Sequence, residues 1–339
     1  MSKSKSPAVE TVALTKRYGE FTALDQLSIS AEAGQILGFI GPNGAGKTTT
    51  IRILVGLLRP TEGSATIAGA DCVRDARKIK RLVGYMPDIF GSYDNMRVTE
   101  YLDFFGAAYA IGRRTRRQRI AEVLETTSSS YMQDRYVESL SHGMKQRIGI
   151  ARTLLHDPQV LILDEPANGL DPQARIEMRG LLLRLAGMGK TLIVTSHILP
   201  ELARICDTVA IITKGKLRAF GTQAEIMRKI TQRRTFESQL VDNSQVEAAK
   251  DLIDKVIKPA SEDLRATASP TEGLVRFETD FSDRDLSALL AQLLEKGIAV
   301  AQFREVATDL EDAFLSVTAN DSDAAEPAAV AVADGSKTA

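Results

Sequence analysis

The sequence has no tryptophan, only two cysteines among its 339 residues, and a net charge of −1. Cys72 and Cys206 are far apart and lack the spacing of a metal site, so we expect two small buried side chains in a reducing compartment. A balanced charge creates no broad electrostatic field for a nucleic acid, so no nucleic-acid partner is predicted. The composition therefore excludes a disulfide scaffold.

Long apolar runs are also missing. No stretch approaches the roughly 18 residues of a membrane span. The N-terminal MSKSKSPAVE has no apolar core of a secretory signal. We therefore expect a cytoplasmic chain, whose length and 44% hydrophobic content are sufficient for two domains.

One glycine-rich stretch has the pattern G-x-x-x-x-G-K-[ST], between an apolar run of strand length at residues 35–40 and a helical pattern over residues 48–58. This arrangement predicts a phosphate-binding site, because the free N–H groups at a helix start point at the anion. Lys47 supplies a cation for the β- and γ-phosphates, and the Thr48 hydroxyl can ligate Mg²⁺. The alternative is a glycine-rich turn before an ordinary helix. The predicted nucleotide-binding residues here are Gly41, Pro42, Asn43, Gly44, Ala45, Gly46, Lys47, Thr48 and Thr49.

Two adjacent carboxylates follow a fully apolar strand over residues 160–163. Buried carboxylates are costly without a positive partner, so Asp164 is predicted to orient Mg²⁺ and Glu165 to act as the general base. The alternative is a solvated acidic turn. Another strand, residues 190–195, leads to His197. A lone histidine is more often structural, but one at the carboxyl end of such a strand faces the ligand crevice.

Three further segments carry candidate residues. Residues 140–147 (LSHGMKQR) predict a helix start that Ser141 can cap, which forms a second anion site. Tyr18, on a predicted turn, is either half-buried core or a ring that stacks on a base. A predicted helix over residues 98–119 contains a dense basic cluster, interpreted either as a solvated face or as a contact with a partner or anionic lipid. Its members are Arg113, Arg114, Arg116, Arg117 and Arg119.

Taken together, residues 8 to about 225 resemble the ATP-binding subunit of an ABC transporter. The resemblance rests on the phosphate loop, LSHGMKQR, LILDEP followed by residues 167–171, and TSH ending at His197. It implies an α/β P-loop NTPase fold with a helical subdomain. It further implies a head-to-tail homodimer that holds each ATP, with Mg²⁺, between one phosphate loop and the opposite LSHGMKQR segment.

The resemblance also implies roles for individual residues. Ser141 and Gly143 contact the γ-phosphate across the dimer, and His197 contacts it from the same chain. Tyr18 stacks on the adenine, and Asp171 lies in the loop that signals between the two sites. The implied function is ATP hydrolysis that powers a separate integral membrane permease from the cytoplasmic face of the membrane, with export favoured. The alternatives are a soluble ABC-type ATPase with a regulatory role and a non-catalytic nucleotide-sensing module.

Two positions depart from the family pattern. Asp88 stands where the family usually has glutamine, and a shorter, charged side chain could ligate Mg²⁺ more firmly but reach less far. We expect Asp88 to keep the role of coupling to the membrane partner. His142 replaces the usual glycine between Ser141 and Gly143; because these two residues are retained, we expect binding across the dimer to survive.

The chain continues beyond a minimal ATP-binding domain of residues 8–230. Residues 235–318 are predicted to form a small α+β domain with the β-α-β-β-α-β order of a ferredoxin-like unit. The predicted elements cover residues 235–240, 244–257, 263–268, 274–279, 282–296 and 298–304, followed by an amphipathic helix at 309–317. This small domain either stabilises a dimer or has a regulatory role. Residues 1–7 and 319–339 are predicted to be disordered.

Overall fold

The computed structural model describes residues 7–88, 91, 95–197, 202, 205–230, 234–257 and 266–306. Three predictions fall wholly or mostly on other residues: the disordered ends at 1–7 and 319–339, and the helix at 309–317. The first part of the predicted strand at 263–268 also lies outside the described residues. Within the described part of the chain, no helix is both long and apolar enough to cross a membrane.

The first part of the chain alternates short helices with strands of two different sheets. Its elements, in order, are β1 (Val9–Tyr18), β2 (Phe21–Ala31), β3 (Ile36–Ile40), α1 (Lys47–Leu54), β4 (Glu62–Ile67), β5 (Ala70–Asp71), α2 (Ala76–Leu82) and β6 (Val83–Met86). An antiparallel sheet has the order β2-β1-β4-β5. Tyr18 is thus the last residue of a strand, whereas the sequence predicted a turn.

Most of the next segment is helical. It contains α3 (Val98–Ala108), α4 (Arg113–Thr126), α5 (His142–Leu154), β7 (Val160–Leu163), α6 (Pro172–Gly187) and β8 (Thr191–Ser196). The single helix predicted over residues 98–119 is wrong, because α3 ends at Ala108 and Ala110 adopts a left-handed φ of 57°. Arg116 of α4 holds the two helices together through an ion pair with Asp103 at 2.6 Å.

The central sheet decides where the candidate site lies. With β9 (Thr208–Thr213) and β10 (Lys216–Gly221), its order is β10-β9-β3-β8-β7-β6, and all pairs except β10 with β9 are parallel. Every residue of β3, β7 and β8 is buried, which explains the continuous apolar runs of β3 and β7 and the apolar centre of β8. Because parallel strands end at the same edge, the segments that follow β3, β6, β7 and β8 meet there.

The last described part has a separate hydrophobic core. After α7 (Gln223–Ile230) come β11 (Arg234–Leu240), α8 (Val246–Ile257), β12 (Thr267–Ser269), β13 (Leu274–Thr279), α9 (Asp283–Glu295) and β14 (Val300–Val306). The four strands form an antiparallel sheet in the order β12-β13-β11-β14. Alternate residues of β11 and β13, among them Phe236 and Phe277, pack against apolar residues of α8 and α9.

Both cysteines are free thiols. Cys72 is buried and Cys206 is partly buried. Burial raises the pKa of each thiol to about 12, so both stay protonated near neutral pH.

Candidate functional site

The loop between β3 and α1 can follow its path only because it contains glycine. Gly46, the residue before α1, has a φ of +107°, and a Cβ there would lie 2.9 Å from the Ala23 carbonyl oxygen. A Cβ on Gly41 would lie 2.4 Å from the Ile212 carbonyl oxygen. Larger residues are therefore excluded at both positions, and the backbone N–H groups at the start of α1 stay open to an anion.

Lys47, the first residue of α1, has a buried charged side chain. It is 7% exposed, and its Nζ donates to the Gly41 carbonyl oxygen and lies 3.5 Å from Glu165 Oε1. A buried ammonium group needs negative partners, and Glu165 is the carboxylate that the fold brings to it. The phosphate loop and the acidic strand end thus meet in one place.

Asp164, at the end of β7, is a buried carboxylate. Its amide donates to the Met86 carbonyl oxygen at 2.9 Å, and its Oδ1 accepts from the Thr195 hydroxyl at 2.7 Å. Burial raises the pKa of Asp164, the negative charges of Glu165 and Asp88 raise it further, and the Thr195 hydrogen bond lowers it. The environment of Asp164 therefore favours a nearby cation.

Glu165 is held in an unusual backbone conformation. Its φ of +50° is left-handed, which costs a residue other than glycine about 1–2 kcal/mol. Its side chain is 12% exposed, with Oε2 2.8 Å from His197 Nδ1 and Oε1 near Lys47. Two basic groups on different elements thus orient one carboxylate at the sheet edge.

Lys47, Asp164 and Glu165 line a cavity of about 330 Å³. Phe21 also lines it and is 66% exposed, although no sequence pattern selects this residue. Tyr18, the predicted adenine-stacking residue, is 49% exposed beneath the Lys16 ammonium group, at 5.1 Å, and is not among the lining residues. The lining residues are Phe21, Ala23, Pro42, Asn43, Gly44, Gly46, Lys47, Thr48, Thr49, Asp88, Asp164 and Glu165.

The start of α5 presents a second surface. Ser141 caps this helix by accepting a hydrogen bond from the Met144 amide, as predicted, and both Ser141 and His142 are exposed. Neither Ser141 nor Gly143 lines the cavity. The structure therefore brings Lys47, Thr48, Asp88, Asp164, Glu165 and His197 together, and leaves Tyr18, Ser141 and Gly143 apart from them.

Comparison with known proteins identifies the family. The chain matches the ABC transporter family over residues 24–168. It is 33% identical over 304 residues to the Nod factor export ATP-binding protein I of Cupriavidus metallidurans, and the match covers 89% of this chain and 94% of that protein. The chain belongs to the ABC transporter family. As an ABC subunit, it binds ATP and couples ATP hydrolysis to transport.

Other relatives agree with this assignment. The bacitracin transport ATP-binding protein BcrA of Bacillus licheniformis is 43% identical over 213 residues, which is 62% of this chain and 69% of that protein. A solved ATP-binding subunit of an ABC transporter superposes with a TM-score of 0.59 at 28% identity, covering 66% of this chain and 92% of that one. ABC ATP-binding subunits dimerise and work with membrane permeases, so this chain is one subunit of a multi-subunit transporter.

Proposed function

We propose that this ABC subunit forms a homodimer that closes on two ATP molecules and powers a separate export permease. The observation that carries the proposal is Glu165, held between Lys47 and His197 at the cavity of the phosphate loop. Export is supported by the described functions of relatives in Nod factor export and bacitracin transport. The chain would then lie on the cytoplasmic face of the membrane.

Glu165 is the proposed general base. Its carboxylate accepts the proton of the attacking water, and His197 keeps that carboxylate turned toward the γ-phosphate. The Lys47 ammonium group can exchange its contact with Glu165 for one with the phosphates, because its Nζ already lies beside the Pro42 carbonyl oxygen of the phosphate loop. The other residues of the phosphate loop supply backbone N–H groups to the phosphates of ATP.

The acidic residues of the cavity fit a magnesium ion. Asp88, Asp164 and Glu165 line this cavity together with Lys47, and the pKa of Asp164 is raised by burial and also by the charges of the other two carboxylates. Thr48, Asp164 and Asp88 would hold the ion. When bound, Mg²⁺ neutralises charge on the β- and γ-phosphate oxygens.

The partner surfaces follow from the exposed residues. Ser141, which is exposed, and Gly143, which is partly exposed, do not line the cavity of their own chain, and both are proposed to complete the site of a second copy. Tyr18 is proposed to stack on the adenine, and Asp171 to lie between the two sites. The permease is proposed to dock near Asp88 and α3–α4.

The proposed division of the chain keeps the boundaries given by the sequence. Residues 8–230 form the ATP-binding domain and residues 235–318 an accessory α+β domain. The separate apolar core around Phe236 and Phe277 supports this division. No residue of the accessory part is assigned a catalytic role.

A Glu165→Gln variant tests the proposal. We expect ATP turnover to fall by about 10²–10⁴-fold, the usual contribution of a general base, while ATP and Mg²⁺ still bind. The variant should accumulate as an ATP-bound dimer, measured by light scattering and retained labelled nucleotide. Near-native turnover, or a monomer that retains no nucleotide, would contradict the proposal.

A further inference from the structure

The histidine that replaces the family's usual glycine makes a defined contact. His142 is the first residue of α5, and its Nε2 lies 2.9 Å from the backbone oxygen of Asn168. Because a carbonyl oxygen only accepts hydrogen bonds, Nε2 must carry the proton. The side chain therefore donates from the serine-bearing turn to the loop that follows Glu165.

The backbone N–H of Asn168 forms a hydrogen bond with the backbone of the proposed general base. The Asn168 amide donates to the Glu165 carbonyl oxygen at 3.1 Å. One peptide segment thus accepts from His142 and donates to Glu165. Two hydrogen bonds connect the proposed base of one site to the turn that is proposed to reach the second copy's nucleotide.

The neighbouring contacts fix the same two segments against each other. A Cβ on Gly143 would lie 3.3 Å from the Ala174 Cβ, so α5 and the start of α6 are in near contact. Arg147 of α5 forms an ion pair with Glu177 of α6. Gly169, with a φ of +68°, places its backbone beside the imidazole ring, since a Cβ there would lie 3.5 Å from His142 Nε2.

We propose that His142 is a positioning residue that holds loop 166–171 against the turn 141–143, so that the two ATP sites of a dimer close together. This inference rests on the proposed homodimer. The imidazole does not line the cavity of its own chain. A glycine at this position has no side chain to make the bond, so the coupling is a property of this chain's own sequence.

Three variants separate the hydrogen bond from the bulk of the ring. His142→Phe keeps a ring without a donor, His142→Gly removes the side chain, and His142→Gln places an amide donor at a similar reach. Position 142 is exposed, so all three should fold. Each is combined with Glu165→Gln, and the ATP concentration at half-maximal dimer is measured.

We expect His142→Phe and His142→Gly to raise that concentration about tenfold, the effect of losing one hydrogen bond on each chain, and His142→Gln to stay within about threefold of the parent. An unchanged phenylalanine variant, or a glutamine variant as impaired as the phenylalanine one, would overturn the proposal. If Glu165→Gln alone forms no dimer, the proposed function fails instead.

A second measurement needs no dimer. In the nucleotide-free chain, hydrogen exchange at the amides of residues 167–170 should be about threefold to tenfold faster in His142→Phe and native-like in His142→Gln. A general structural role would leave the glutamine variant as fast as the phenylalanine one. Equal exchange in all variants would also overturn the proposal.

Discussion

At the scale of single residues, Thr195 joins the two acidic residues of the site. It is fully buried in β8, and its hydroxyl donates to Asp164 Oδ1 at 2.7 Å and accepts from the Glu165 amide at 2.9 Å. One hydroxyl group therefore fixes a carboxylate and also supports the left-handed backbone of the proposed base. No sequence pattern identified this residue, because a threonine at the end of an apolar strand is common in ordinary sheets.

Thr195→Val tests this role. Valine fills nearly the same volume but leaves a buried carboxylate oxygen and a buried amide without a partner, so the free energy of unfolding should fall by about 1–3 kcal/mol. ATP turnover should fall by at least about tenfold as Glu165 loses its support. Thr195→Ser, which keeps the hydroxyl, is the matched control. Urea unfolding and an ATPase assay measure both effects, and a fully active valine variant would contradict them.

The adenine-stacking prediction concerns two rings that flank one turn. Tyr18 ends β1 and Phe21 begins β2, and only Phe21 lines the cavity. Since stacking of a base on an aromatic ring contributes about 1–3 kcal/mol, we expect Tyr18→Ala to weaken ATP binding by about 5–150-fold and Tyr18→Phe to have little effect. Binding of inorganic triphosphate should not change. If Phe21→Ala causes the larger loss of ATP affinity, Phe21 carries the base.

At the scale of secondary structure, the sequence predicted the strands around the site well. Residues 36–40, 160–163 and 191–196 form fully buried parallel strands, and a strand buried on both faces has a continuous apolar pattern. Helix α6 was not predicted, although Asp171 caps it and Pro172 occupies its first turn. Its buried residues Met178, Leu181, Leu182 and Leu185 do have helical spacing, but the exposed apolar residues Ile176 and Leu183 obscure that pattern in the sequence.

The end of α3 could not be predicted because its stop signal lacks the usual glycine. The Ile111 amide donates to the Gly106 carbonyl oxygen and the Ala110 amide to the Ala107 carbonyl oxygen, which is a Schellman motif. Ala110 takes the left-handed position that glycine normally occupies. Tertiary contacts such as the Arg116–Asp103 ion pair stabilise a bend that local sequence does not favour.

His156 ties α3 and α5 to the central sheet, which leads to a prediction about pH. Its Nε2 donates to the Val83 carbonyl oxygen at 2.9 Å, and its ring stacks on Tyr109 at 4.1 Å. Burial is the main cause that lowers the pKa of His156 below its ordinary value of 6.5. The unfolded chain therefore binds a proton more readily than the folded one.

This difference in proton binding sets the direction in which stability changes with pH. The contribution of His156 to stability is fully present above pH 6.5 and is lost as the pH falls below 6.5 toward the lower folded pKa. We expect His156→Phe, which keeps the stack but cannot titrate, to lose less stability than the native chain between pH 7.5 and 5.5. Urea midpoints at both pH values measure this. Equal losses in the two proteins would show that His156 does not titrate in this range.

At the scale of the whole molecule, the proposed homodimer requires one chain to carry both halves of a composite site on different surfaces. The cavity residues cluster around Lys47 at the carboxyl edge of the central sheet, whereas Ser141 is exposed at the start of α5 and does not line that cavity. A second copy placed head to tail can bring its serine turn to the first copy's cavity. Two-fold symmetry then completes two identical sites.

Mixing two differently damaged chains tests this arrangement. Lys47→Ala removes the phosphate-binding ammonium group of one chain, and Ser141→Tyr blocks the turn 141–143 of another. Neither homodimer then contains an intact site. In a mixed dimer, the phosphate loop of the tyrosine variant meets the native turn of the alanine variant, which restores one of the two sites. With Glu165→Gln in both chains, we expect each variant alone to retain almost no labelled ATP and the co-expressed mixture to retain about one ATP per mixed dimer. Retention no higher than in the separate variants would show that Ser141 does not complete the site of a partner.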